Sequence, residues 1–304
     1  MEGMDLPGEI PSGVCFLREF KDERSLEPRK KTSSASSAAN QLMPISIFRK
    51  NRKTRKAGFF GDFVSWKEAQ KETTGYENPD ILAKTELSMR EILAGKAPFE
   101  RDSVLLQNPE YPWPLISCLS VAFASQGRLS VLDFGGALGS SYYQCRPFIQ
   151  SIPELGWAVV EQEHYVDSGR REFALGPVTF YQYPAEACLA AKPNVLLLSS
   201  VLPYLPDPYQ KFRELLKLRV PQVVVDRTFF LQRPGERLTV QVVPEWIYPA
   251  SYPAWFLDEA KVKAIAREAG YELVAEFPAL DENHPEGEKA EAKGFFWKLT
   301  AQSS

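Results

Sequence analysis

Asp133, Gly135, Gly136 and Gly139 set an acid and three glycines within the stretch Leu-Ser-Val-Leu-Asp-Phe-Gly-Gly-Ala-Leu-Gly, residues 129–139. A short apolar run meets the acid, turns through the glycines and passes into a helix-compatible segment, 140–150. A buried parallel strand ends this way when its backbone passes close to a ligand and delivers it to a helix N-terminus. Glycine suits the turn because it accepts positive φ and has no Cβ to hold a ligand away. The chemistry on offer is cofactor binding.

Two cofactor classes use such a turn, and spacing separates them. The dinucleotide fingerprint needs glycine at 134, 136 and 139, and position 134 is Phe134. The S-adenosyl-L-methionine (SAM) pattern is an acid, any residue, then glycines at alternate positions. Asp133, Gly135 and Gly139 fit it; Ala137 stands in the middle position with Gly136 beside it. A tight strand-to-helix turn in some other α/β protein is the structural alternative.

In an open parallel sheet the ligand sits beyond the carboxyl ends of the strands, so each strand end is a candidate. The next apolar run closes on Glu161 and Gln162, with an acid about twenty residues past the glycines, placed to take ribose hydroxyls of an adenosine. The run 178–181 offers no decisive polar residue. The fourth closes on Ser199 and Ser200, followed by Tyr204, and the fifth on Asp226-Arg-Thr228. Asp226, Tyr204 and His164 are the candidates for a general base. An Asp beside an Arg at a buried edge reads first as a structural ion pair. His164, three residues past Glu161, reads as bordering the adenine pocket or solvent.

The elements that must position these residues follow from periodicity. Runs at 129–134, 157–160, 178–181, 195–198 and 223–225 have strand length and alternate with helix-compatible segments, which predicts a largely parallel sheet covered on both faces. Asp207-Pro208 and Asp258 start helices, and Gly270 stops the second. Residues 271–277 and 294–299 read as closing strands. Ahead of the glycine turn, a capping box at Ser65-Trp-Lys-Glu68, a start at Asn78-Pro79 stopped by Gly95, and a segment at 114–126 predict three helices. The interval 229–256, with four prolines, Trp246, Trp255, Tyr248 and Tyr252, fits neither period. It reads as a site wall or lid, or equally as aromatic packing against the sheet.

The division expected is a disordered basic and Ser-rich tail at 1–56, a helical segment at 57–127 and a main domain at 128–304 carrying the insertion 229–256. Residues 49–56 are basic at six of eight positions. Such a tail cannot bury enough apolar surface to fold. Met43 would serve as an alternative start, leaving the first 42 residues non-native.

A chain of 304 residues, 44% apolar and 25% charged, has the make-up of an ordinary globular protein. A net charge of −3 gives no basic field for nucleic acid. Cys15, Cys118, Cys145 and Cys188 form no C-x-x-C, as expected of packed thiols in a reducing cytosol. With His164 and His284 the only histidines, no histidine-rich metal site is expected. No run suggests a membrane span and no signal-peptide core follows the first Met, so a cytoplasmic protein is expected.

The set of motifs resembles the class I SAM-dependent methyltransferases. More narrowly, it is similar to a small bacterial family of methyltransferases sometimes found near surface-polysaccharide genes. The resemblance rests on Gly61-Asp-Phe-Val-Ser-Trp66 with Gly75-Tyr76, on 131–143, 157–162 and 199–208, on Asp226-Arg-Thr228, and on 240–244 and 247–255, and it covers roughly 58–300. It implies a Rossmann-like, doubly wound, seven-stranded α/β sheet with the last strand antiparallel and a helical preface. It further implies SAM as methyl donor and a small-molecule or glycan-like acceptor. Asp133, Gly135, Gly136, Ala137, Gly139, Glu161, Gln162, Ser199 and Ser200 would line the cofactor, with Ala137 crowding its methionine end. The expected activity is O-methylation. A catalytically silent module on the same fold and an NAD-linked oxidoreductase are the rivals. Oligomeric state is not legible.

Overall fold

The computed structural model describes residues 56–75, 79–108 and 110–300. The expected tail up to Arg55 and the expected cap Asn78 lie outside the described residues. The chain opens with β1 (Gly58–Phe60) and α1 (Trp66–Lys71). Ser65 caps α1, its side chain accepting from the Glu68 N–H at 3.4 Å. Next comes α2 (Pro79–Leu93), after which Gly95 turns the chain with φ +71°. A hairpin follows, β2 (Phe99–Arg101) and β3 (Val104–Leu106). Its two turn residues, Asp102 and Ser103, both have positive φ, as a tight turn matched to strand twist requires. The preface is therefore not purely helical: a strand and a hairpin belong to it. After α3 (Trp113–Gln126) the left-handed Gly127 delivers the chain to the main sheet.

From there strand and helix alternate. The order is β4 (Leu129–Phe134), α4 (Ser140–Ile149), β5 (Leu155–Val160), α5 (Glu163–Ser168), β6 (Val178–Tyr181), α6 (Pro184–Ala191), β7 (Val195–Ser199), α7 (Pro208–Leu216) and β8 (Gln222–Leu231). Then come β9 (Arg237–Val242), β10 (Ser251–Phe256), α8 (Glu259–Glu268), β11 (Tyr271–Pro278) and β12 (Ala290–Leu299). Side chains of Asp207 and Asp258 cap α7 and α8 by accepting from Gln210 N and Lys261 N.

Seven strands form one sheet in the order β11-β12-β8-β7-β4-β5-β6. The pairs among β4 to β8 are parallel, and β12 runs antiparallel to both neighbours. Alternation along the strands divides the core. Val131, Val159, Leu197 and Val224 pack with residues of α2, α3 and α4, whereas Leu132, Ala158, Leu196 and Val225 pack with α6, α7 and α8. This is the expected doubly wound sheet with its last strand reversed.

The interval 229–256 departs from an irregular connection. Strand β8 continues to Leu231, and β9 and β10 join β1 in a separate antiparallel sheet, β1-β9-β10. Phe59 packs edge-on against Phe229 and Phe256 there, so the aromatic residues join this sheet to the end of β8. Among the described residues no helix is long and apolar enough to cross a membrane.

Candidate active site

The glycine turn leaves β4 at the point where strand order reverses: β5 and β6 lie to one side of β4, β7 and β8 to the other. Crevices at such switch points are where open α/β sheets bind ligands. Gly135 continues the ladder, its N–H donating to the Val160 carbonyl at 2.9 Å, and has φ +75°. A Cβ at Gly135 would fall 2.4 Å from the Val201 side chain, and one at Gly136 would fall 2.5 Å from the Asp133 carboxyl. These two glycines are thus demanded by the protein's own packing. A Cβ at Gly139 would make only ordinary contact, 3.5 Å from Val178, but the residue holds φ +95° and caps α4. Ala137 holds φ +49°, a left-handed conformation that a side chain opposes.

Asp133 lies beneath the turn, 1% exposed, and accepts from the Trp157 indole N–H at 2.9 Å. Burial pushes its carboxyl up to about 7; the Trp157 bond opposes this and the charge of Glu161 adds to it. Asp133 therefore braces the turn from inside. Glu161, at the end of β5, reaches across to it. One oxygen accepts from the Ala137 N–H at 3.3 Å and the other from the Gln162 N–H at 2.8 Å. Burial raises the Glu161 carboxyl, and those two N–H groups oppose the rise. The Gln162 side of this contact is exposed. The fold thus gathers Asp133, Gly135, Gly136, Ala137, Gly139, Glu161 and Gln162 at the ends of β4 and β5.

The neighbouring strand ends supply the rest. Ser199 and Ser200 are half-buried at the end of β7; Ser200 has φ +54° and its N–H donates to the Asp226 carbonyl at 3.0 Å. Along β8, Asp226 and Arg227 together face a single residue, Gly294, of β12, because Val225 pairs with Phe295 and Thr228 with Lys293. This β-bulge places Arg227 at φ +51° and turns the two side chains to different tasks. Asp226, 5% exposed, accepts from the Arg227 backbone N–H at 2.9 Å. Burial pushes its carboxyl up to about 6 against the pull of Arg227.

The expected ion pair between Asp226 and Arg227 is not the one formed. The Arg227 guanidinium grips Asp281 through two bonds of 2.7 and 3.0 Å and Asp102 through one of 2.6 Å. It ties the bulge to the loop before β12 and to the β2–β3 turn. Burial opposes the charge on Asp281, yet Arg227 holds it below the usual carboxylate range.

Tyr204 sits in a 3-10 turn, Leu202–Tyr204, and its hydroxyl donates to Gln241 Oε1 at 2.9 Å. Its ring packs edge-on against Tyr252, and burial raises its pKa well above the ordinary value, with Asp102 and Asp281 adding to the shift. His164 is exposed on α5, its ring 5.0 Å from Tyr165, on the β5 side of the site rather than with Asp226 and Tyr204. Sequence reasoning missed Glu100 on β2, which is 2% exposed and bonded through Oε2 to the Ser103 N–H at 2.7 Å. The Gln144 amide donates to the Glu100 carbonyl at 2.8 Å, fixing the hairpin on α4 beside the glycine turn. Residues 99–101 carry no periodic signal that could have shown this. A cavity of about 450 Å³ opens between α2, β3 and the insertion, bordered by Ser88, Ser103, Val104, the exposed Trp246 and Ile247.

No protein-family model and no curated protein matches this chain. Solved structures do. The N-terminal domain of EvdMO1, with S-adenosylhomocysteine (SAH) and D-fucose present, is 15% identical at a TM-score of 0.44, over 71% of this chain and 96% of that one. Magnesium protoporphyrin IX methyltransferase from Synechocystis PCC 6803, with SAH bound, is 14% identical at 0.41, over 62% and 82%. The glycopeptide N-methyltransferase MtfA, complexed with SAM, is 12% identical at 0.41, over 60% and 93%. The fold assignment rests on the strand order itself, with β12 reversed between β8 and β11: a doubly wound, Rossmann-like fold.

Proposed function

We propose that this chain is a SAM-dependent methyltransferase that O-methylates a small or glycan-like acceptor. The observation that carries the reading is the Glu161 carboxylate closed onto the Ala137 N–H across the glycine turn, at the switch point of the sheet. The residues fit the donor. Gly135 to Gly139 form a turn that feeds a helix N-terminus, and Glu161 keeps lone pairs beyond its two backbone bonds. Glu161 and Gln162 would hold the ribose, the turn the central portion, and Ser199 and Ser200 the methyl end. When bound, SAM supplies an activated methyl group on a sulfonium sulfur.

Asp226 is the general base of this reading. Its carboxyl, at about 6, is mostly ionised at neutral pH, so it can take the proton of an acceptor hydroxyl. Tyr204, raised well above its ordinary value, keeps its proton and directs it to Gln241 Oε1, which leaves its oxygen free to accept from a hydroxyl of the acceptor. The remaining work is positioning, which can contribute roughly 7–11 kcal/mol when reacting atoms are held near attack distance. The open cavity beside Trp246 gives a bulky acceptor a surface continuous with the β2–β3 turn.

Transfer of label from methyl-labelled SAM to sugar hydroxyls tests the reading. The rate should rise with pH and level off above about 6, since the base must be ionised. Asp226→Asn should lower kcat by about 10²–10⁴-fold and remove that limb. SAH binding without label transfer to any acceptor would favour the silent module instead.

A further inference from the structure

Four buried side-chain atoms among the described residues have no hydrogen-bond partner, and Glu100 Oε1 is the single carboxylate oxygen among them. Leaving such an oxygen bare in a dry interior is costly, so it calls for a donor from water, an ion or a ligand. The hydroxyl of Ser140, the first residue of α4 directly after the glycine turn, lies close enough to favour the charged form of Glu100 but makes no hydrogen bond of normal geometry to Oε1. The other acids around the turn are engaged: Asp133 by Trp157, Glu161 by two backbone N–H groups, Asp226 by the Arg227 N–H, and Asp102 and Asp281 by the Arg227 guanidinium. A ligand with its ribose at Glu161 and its tail across the turn would bring that tail to the N-terminus of α4. For SAM or SAH the tail is an amino acid: a carboxylate, which a helix N-terminus favours, and an ammonium, which requires an acceptor.

We infer that Glu100 binds the α-ammonium group of the donor's amino-acid end, through Oε1, and so makes the β2–β3 hairpin part of the cofactor site. This rests on the SAM reading above. Burial raises the Glu100 carboxyl, opposed by the Ser140 hydroxyl and the Ser103 N–H, and an ammonium beside it would hold it ionised. The near-isosteric Glu100→Gln removes the charge while keeping an acceptor oxygen and the shape.

Calorimetric titration of wild type and Glu100→Gln with SAH and with deaminated SAH, in which hydrogen replaces the α-ammonium, tests this. Loss of a charge-assisted bond predicts SAH binding about 10- to 100-fold weaker in the variant. Deamination should cost wild type a similar factor and the variant little, because both changes remove one contact. Glu100→Asp, which keeps the charge, should recover part of the affinity. If deamination weakens wild type and Glu100→Gln equally, or if the variant binds SAH as tightly as wild type, the inference fails. Wild type that binds neither ligand would overturn the donor assignment itself. Should Glu100→Gln lose its fold, the deaminated ligand on wild type and Glu100→Asp still decides: no loss of affinity there overturns the role.

Discussion

Ala137 is the residue at which the turn departs from what its geometry asks. At φ +49° it occupies a conformation costing an L-residue roughly 1–2 kcal/mol, while its N–H supplies the bond to Glu161. Ala137→Gly keeps that N–H and relieves the side-chain strain, so stability should rise by about 0.5–1 kcal/mol, read as a higher urea midpoint at unchanged slope. A destabilised variant would show that the methyl group is needed for packing. At this scale the sequence was informative wherever a residue's role is local. Asp133 and the glycines announce a turn because backbone conformation is dictated within a few residues. Glu161 is legible because an acid ends an apolar strand. Glu100 is not, because its importance arises only when Gln144 of α4 grips the hairpin from 44 positions away. The Arg227 partners were likewise invisible: Asp281 lies 54 positions further on and Asp102 lies 125 back.

Among the elements, the bulge on β8 organises the contacts around Asp226 and Arg227. It exists because Asp226 and Arg227 share one partner, and Gly294 opposite cannot carry a Cβ, which would meet the Phe277 ring at 2.0 Å. Arg227 then ties β8, the β2–β3 turn and the loop before β12 together. Arg227→Ala would leave Asp281, with its side chain 3% exposed, without its cation, and should cost about 3–5 kcal/mol in chemical unfolding. Arg227→Lys should recover only part of this, since an ammonium cannot match the two-pronged bond to Asp281. An alanine variant as stable as wild type would show that the triad is ornamental to folding. The helices and parallel strands were legible from apolar runs and caps. The interval 229–256 was not, because β9 pairs with β1, about 180 positions earlier in the chain, and a two-sheet partnership leaves no short-range period to read.

Across the described residues, three supports meet near the strand ends: the switch point of the seven-stranded sheet, the hairpin docked on α4, and the smaller sheet joined to β8 through Phe59, Phe229 and Phe256. On the proposed function, the glycine turn and Glu161 bind a SAM-type ligand. The most direct measurement is a thermal-unfolding titration of wild type and Glu161→Ala with SAH, SAM and NAD. A ligand at about 100 times its Kd adds about 2.7 kcal/mol, a rise of roughly 5–10 °C for a domain of this size. That rise is expected with SAH and SAM, none with NAD, and its loss in an otherwise folded Glu161→Ala. A rise with NAD alone, or none with SAH and SAM in wild type, would contradict it.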